Sequence, residues 1–129
     1  MGHIDDFARS YTEAWCSNDP ARVAAHYAPD GMVAINGADP TPIMEVAESF
    51  MAAFPDMELV LDDIVVRDDD VVEYHWTLIG DHSGTGSHVH ISGFEEWTIG
   101  DDGLVASSVG NYDAAEYDRQ VTHGVSRAD

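Results

Sequence analysis

The sequence has no lysine, and its five arginines face 25 aspartates and glutamates, for a formal charge of −20 over 129 residues. A surface this acidic repels phosphate backbones and anionic lipid, which excludes nucleic acid and membranes as partners. Solubility or adaptation to salt accounts for such a charge; attraction of a cationic partner is the other reading. Cysteine is nearly absent. Cys16 stands alone, so no internal disulfide forms, and without a basic neighbour to favour its thiolate it reads as structural. No apolar run has the length to span a bilayer. Met1–Asp6 lacks the basic-then-apolar pattern of a secretory leader, and Asp6 stands where a myristoylation signal wants Ser or Thr. The expectation is a soluble, cytoplasmic protein. Gly-x-Ser-x-Gly is missing as well. Ser83-Gly84-Thr85-Gly86 is not a phosphate loop, because neither a helix nor a basic residue follows it.

What is present reads as one domain. Its apolar content of 44% is ordinary for a globular chain. Ile4, Phe7, Ala8, Tyr11, Ala14 and Trp15 recur at helical spacing over residues 3–17. Asn18 or Asp19 then caps a short second helix, with Pro20 in its first position, running to about Tyr27. Pro29-Asp30-Gly31 predicts a turn and Met32–Asn36 a short strand. A third helix is expected from Thr41-Pro42 to about Ala53, stopped by Phe54-Pro55. From Met57 the period becomes two, predicting strands over Met57–Arg67, Val71–His82, His88–Ile99 and Leu104–Asp113. A short helix follows from Ala114. Asp68-Asp69-Asp70 falls where a turn is expected, so a solvated turn is read there rather than a metal site. The order predicts an α+β fold, with three N-terminal helices on one face of a curved antiparallel sheet.

Strict alternation places polar residues among the apolar ones on the face turned to the helices. Val72, Tyr74, Trp76, Leu78, Gly80 and His82 share that face in one strand; Val89, Ile91, Gly93, Glu95, Trp97 and Ile99 share it in the next. In the last strand Val105, Ser107, Val109, Asn111 and Asp113 are assigned to it, although both sides are mixed. A dry core does not tolerate Glu95, His82, Asn111 and Asp113, whereas a ligand pocket does. Ile79, Phe94 and Tyr112 then fall on the outer face and predict pairing of two copies through it.

The layout resembles the nuclear-transport-factor-2-like superfamily, and within it the SnoaL-like polyketide cyclases and ketosteroid isomerases. FARSYTEAWCSNDPARVAAHYAPDGMV is similar to the family's two opening helices and first strand. LIGDHSG resembles its Gly-x-His-x-Gly strand end, and SGFEEWTIGDDGLV its Gly-hydrophobic-acid-x-aromatic strand and Asp-Gly turn. The resemblance covers nearly the whole chain and implies a single SnoaL-like domain over 1–129. The resemblance implies a cone-shaped cystatin-like fold with a pocket between helices and sheet, though this fold carries many functions. It also implies that Tyr11 and Glu95 match an oxyanion hole, that Asp113 matches the cyclases' aspartate and that His82 matches the histidine of their pocket. The isomerase's base position reads as Ile35 beside Asn36, neither of which abstracts a proton from carbon. An epoxide hydrolase's Arg-x-Asp pair is missing from Val-Glu-Tyr-His-Trp.

Asp113 is therefore the expected acid/base, its carboxyl raised in an apolar pocket; the alternative is a helix cap through the Ala115 or Glu116 amide. Glu95, kept protonated, and Tyr11 would polarise a carbonyl; the alternative for Glu95 is a paired or solvated rim. His82 is a pocket histidine or an exposed strand end. Asn111 would orient the substrate, with Trp76, Trp97, Val109 and Tyr74 as walls. Four histidines, at 75, 82, 88 and 90, do not fall on one face, and no metal or cofactor is expected. Two functions stay open: cyclisation or isomerisation by proton transfer on an apolar carbonyl compound, or binding of a small hydrophobic molecule without chemistry.

Overall fold

A computed structural model describes residues 2–67 and 71–125, so the expected turn at Asp68-Asp69-Asp70 lies outside the described residues. Helix α1 (Gly2–Cys16) buries Ala8, Tyr11 and Ala14 along one side, as its apolar spacing requires. Asn18 turns the chain with φ of 61°. Asp19 then caps α2 (Pro20–Ala24) by accepting the Ala21 amide at 3.1 Å, with Pro20 opening the helix.

Strand β1 (Tyr27–Ile35) begins earlier than predicted and absorbs the expected turn as a break in its register. Gly31 permits this: a Cβ there would lie 2.9 Å from the Tyr27 side chain. A two-residue strand β2 (Thr41–Pro42) pairs with β1 and leads into α3 (Ile43–Ala53), which ends before Pro55. Strands β3 (Glu58–Val66), β4 (Val71–Asp81), β5 (His88–Ile99) and β6 (Val105–Asn111) follow, then α4 (Ala114–His123).

The fold is α+β; the described residues form a six-stranded curved, unclosed sheet in the order β2-β1-β6-β5-β4-β3 and four helices. It is not wholly antiparallel, since β1 runs parallel to β6. The meander from β3 to β6 is antiparallel.

The alternation in β4 and β5 holds. Val72, Tyr74, Leu78, Val89, Ile91 and Trp97 are all buried. In β6 it breaks. Thr98 pairs with Ser107 and Ile99 with Val105, so Ala106 is an extra residue. One inserted residue exchanges the faces of everything beyond it. Val105 points in, but so do Ser108 and Gly110, while Val109 is 40% exposed. Val109 and Asn111 thus leave the inner face, and Tyr112, expected outside, joins it.

Candidate functional site

The space between helices and sheet is filled at one end and open at the other. The filled end is aromatic. Tyr74 and Trp97 stack at 4.9 Å with an interplanar angle of 15°, and Tyr11 sets its edge against both at 5.1 Å. All three are fully buried. The open end is a cavity of about 650 Å³, counting its mouth. Trp15, Ile43 and Phe50 wall it from the helices, and Trp76, Leu78, Ile91 and Gly110 from the sheet. Tyr112 and Tyr117 line it too, their rings edge to face at 5.5 Å.

Glu95 stands where the two ends meet, and among the described residues it is the only carboxylate lining the cavity. Its Oε1 accepts the Tyr11 hydroxyl at 2.9 Å and the Trp97 indole N–H at 2.8 Å. The strand pairing explains the grip. Tyr74 is opposite Glu95, and Trp97 is two residues on, on the same face. Tyr11 reaches down from α1, its hydroxyl also 3.3 Å from that of Tyr27.

Burial pushes the Glu95 carboxyl above the usual glutamate range; the donors Trp97, Tyr11, Ser108 and Tyr27 pull the other way without cancelling it. All these donors are neutral, so no cation rewards the charge. Burial, and next the charge of Glu95, also push Tyr11 and Tyr27 well up, keeping both hydroxyls protonated. Because Oε1 accepts two donors, a proton on this carboxyl sits on Oε2. The site therefore sets a carboxyl whose protonated form is favoured by burial in the wall of an apolar chamber, beside donors placed to stabilise its anion.

The other predicted residues are dispersed. Asp113 is exposed, outside the cavity wall, and caps α4 by accepting the Glu116 amide at 3.0 Å. Its expected place deep in the pocket is corrected, because the residue follows β6 just as the chain turns into a helix that needs a cap. His82 lies past the end of β4, its ring edge-on to Phe54 at 5.4 Å and its Nδ1 accepting the Gly84 amide at 3.1 Å. It does not line the cavity. Asn111 sits on the outer face, where its Nδ2 donates to Glu96 at 3.1 Å, and Val109 is exposed beside it. Trp76 is a wall, as expected. Trp97 and Tyr74 are not; they form the packed floor behind Glu95. Tyr74 Oη pairs with Thr12 Oγ1 at 2.5 Å.

Tyr112, Tyr117 and Gly110 escaped the sequence reading. The four-residue spacing of Tyr117 and Val121 marks an apolar stripe on α4 that would have found Tyr117. The histidines stay apart. His75 bonds Glu73 at 2.9 Å and stacks on Phe94, while His88 bonds Asp81 at 2.9 Å. Among the described residues no three His, Cys, Asp or Glu side chains are placed to hold a metal ion.

The family model for the SnoaL-like domain matches residues 8–108. The chain belongs to the SnoaL-like family. A comparison with curated proteins finds no match. Among solved structures it is similar to AclR of Streptomyces galilaeus, described as a candidate hydroxylase, with TM-score 0.79 and 20% identity over 98% of this chain and 87% of that one. It is also similar to a candidate SnoaL-like polyketide cyclase from Jannaschia, with TM-score 0.76 and 16% identity over 93% and 92% of the two chains. A protein of ketosteroid isomerase-like fold from Catenulispora acidiphila, solved with trimethylamine, gives TM-score 0.75 and 13% identity over 86% and 88%. Identities this low speak for the fold alone. No helix among the described residues is long and apolar enough to cross a membrane.

Proposed function

We propose that this SnoaL-like protein binds a small apolar carbonyl compound in the cavity and catalyses proton transfer on it, with no cofactor. Glu95, rather than Asp113, is the proton-exchanging group. The observation that carries this reading is a single carboxyl, lifted by burial, in an otherwise apolar wall and held at Oε1 by Tyr11 and Trp97.

The reaction that suits one acid without a partner base is an intramolecular aldol closure of a substrate already present as its enol. The enol carbon attacks a carbonyl carbon, and Oε2–H gives its proton to the carbonyl oxygen. The resulting carboxylate is stabilised by the Tyr11 hydroxyl and Trp97 N–H. The proton released as the enol becomes a ketone then restores Glu95. Tyr112 and Tyr117 keep their protons and so offer no base: burial pushes both phenols up, helped by Asp118 at Tyr112 and by Tyr112 and then Asp118 at Tyr117.

One observation favours a second reading, binding without turnover: among the described residues no other carboxylate or histidine lines the cavity. Assay of a panel of polycyclic ketones and enolised aromatic polyketides separates the two. In the catalytic reading Glu95→Gln lowers turnover by about 10²–10⁴-fold, the range of general acid catalysis, and keeps binding within a few-fold. Wild-type binding with no turnover of any member supports the binding reading.

We also propose that two copies pair through the outer sheet face around Ile79, Phe94 and Val109. A monomer by light scattering at micromolar concentration would remove that pairing.

A further inference from the structure

Glycine has no structural duty at position 110. Gly110 lies within β6, paired with Glu95 of β5 on one side and with Ile35 of β1 on the other. A glycine inside a strand weakens it, and marks a bulge, a crowded approach or a ligand. The extra residue Ala106 comes earlier in the strand, and the φ of Gly110 is not positive. Gly93 shows the crowded case. A Cβ there would lie 2.5 Å from the Asn111 carbonyl oxygen and 2.7 Å from Trp76 Cζ2. At Gly110 a Cβ would meet, apart from its chain neighbours, only Ile35 Cγ1 among the described residues, at an ordinary 3.6 Å. A side chain would fit, and the space it would fill is the cavity.

That space adjoins Glu95. On the inner face of the sheet Glu95 has four neighbours: Trp97 and Gly93 along β5, Tyr74 across β4 and Gly110 across β6. Aromatic rings close three of these sides. Tyr74 and Trp97 are fully buried, and the ring of Trp76 lies against Gly93. Tyr11 closes the site from the helix side. The fourth side is bare backbone. Ile35, Gly110 and Glu95 form one row, and all three line the cavity. The outer strands of that row are about 10 Å apart, two strand spacings. Glu95 itself is only partly buried, so it is open to the chamber rather than sealed behind it.

We propose that Gly110 determines specificity: its missing side chain is the notch through which a flat ligand brings its carbonyl to Glu95. The ligand class is a planar cyclic ketone with its oxygen on an open ring edge, the ring lying against the β6 backbone. The inference rests on the carbonyl-binding reading above and adds the route and the shape. Any side chain at this position keeps the rest of the chamber but lifts the ring away from the acid. A misplacement of about 1 Å already costs an oriented contact.

Two flat probes of nearly equal shape test this: fluorene, and 9-fluorenone with one carbonyl. They are titrated by NMR into wild type, Gly110→Ala, Gly110→Val and Val46→Leu, the last narrowing the cavity from α3 instead. Wild type binds fluorenone about five- to tenfold tighter than fluorene, the range of one net hydrogen bond. Gly110→Val brings the two probes level, and Gly110→Ala falls between. Val46→Leu weakens both probes and keeps their ratio. The ring current of either probe moves the Glu95 ¹³C carboxyl signal in wild type, and neither probe moves it in Gly110→Val. Gly110→Ala melts no lower than wild type, because the site has room and a strand gains from losing a glycine. A preference that survives Gly110→Val, or one lost equally in Val46→Leu, would overturn the proposal. A clear drop in the melting temperature of Gly110→Ala would do so too, by showing that the fold needs the glycine. Fluorenone binding no tighter than fluorene in wild type would instead refute the carbonyl contact, while the Glu95 carboxyl signal still decides whether ligands reach it past Gly110.

Discussion

Glu95 and Glu96 are consecutive and chemically identical, but the pleat of β5 sends them to opposite faces of the sheet. Glu95 turns inward to Tyr11 and Trp97, two neutral donors backed by stacked aromatic rings. Glu96 turns outward to the Arg67 guanidinium at 2.8 Å and the Asn111 amide at 3.1 Å. The Arg67 and Glu96 side chains keep 33% and 28% of their surface. Charge is thus matched by charge and shared with water outside, and isolated among neutral groups inside. One strand makes an ion-paired acid and a desolvated one from adjacent positions, and the difference lies in what faces each.

The inner arrangement is the more costly to break. Trp97→Phe removes the indole N–H from Glu95 and leaves space beside Tyr74, and should lower stability by about 2–3 kcal/mol in urea unfolding. Arg67→Gln on the outer face should cost no more than about 1 kcal/mol, because the ion pair is partly solvated. Equal losses would erase the contrast between the faces.

The pH dependence comes next in size. Glu95 holds its proton more tightly folded than unfolded. The stability it contributes is therefore complete below the unfolded midpoint, near the ordinary glutamate value, and is lost as pH rises through the raised folded midpoint. Glu95→Gln removes that loss. The variant and wild type should be alike in acid, and above the folded midpoint the variant should be more stable, by about 1.4 kcal/mol for each pH unit between the midpoints. Parallel stability curves would show that the inner carboxyl is not strained.

The smallest effect belongs to Asp113. Asparagine caps a helix as well as aspartate does, so Asp113→Asn should change stability by no more than about 0.5 kcal/mol and leave turnover intact. Loss of turnover would return Asp113 to the chemistry.

The helices, the meander and the inner faces of β4 and β5 were legible because each carries a clean period. Glu95 stood out because an acid interrupted an apolar face between Gly93 and Trp97. The last strand was not legible. The extra residue Ala106 leaves no mark in the alternation, and it alone moved Asn111 and Val109 out and Tyr112 in. Family likeness compounded this by drawing Asp113 and His82 toward the pocket. Asp113 was spent on a helix end and His82 fell beyond the last paired residue of β4, and both outcomes depend on where elements stop, the least readable property of a sequence.

The central claim is that Glu95 is a neutral acid facing the cavity. A ¹³C NMR titration of its side-chain carboxyl, assigned by its loss in Glu95→Gln, tests this most directly. A midpoint clearly above the usual glutamate range is the predicted result. A midpoint at or below that range would mean that Tyr11 and Trp97 hold a carboxylate, and would contradict the account.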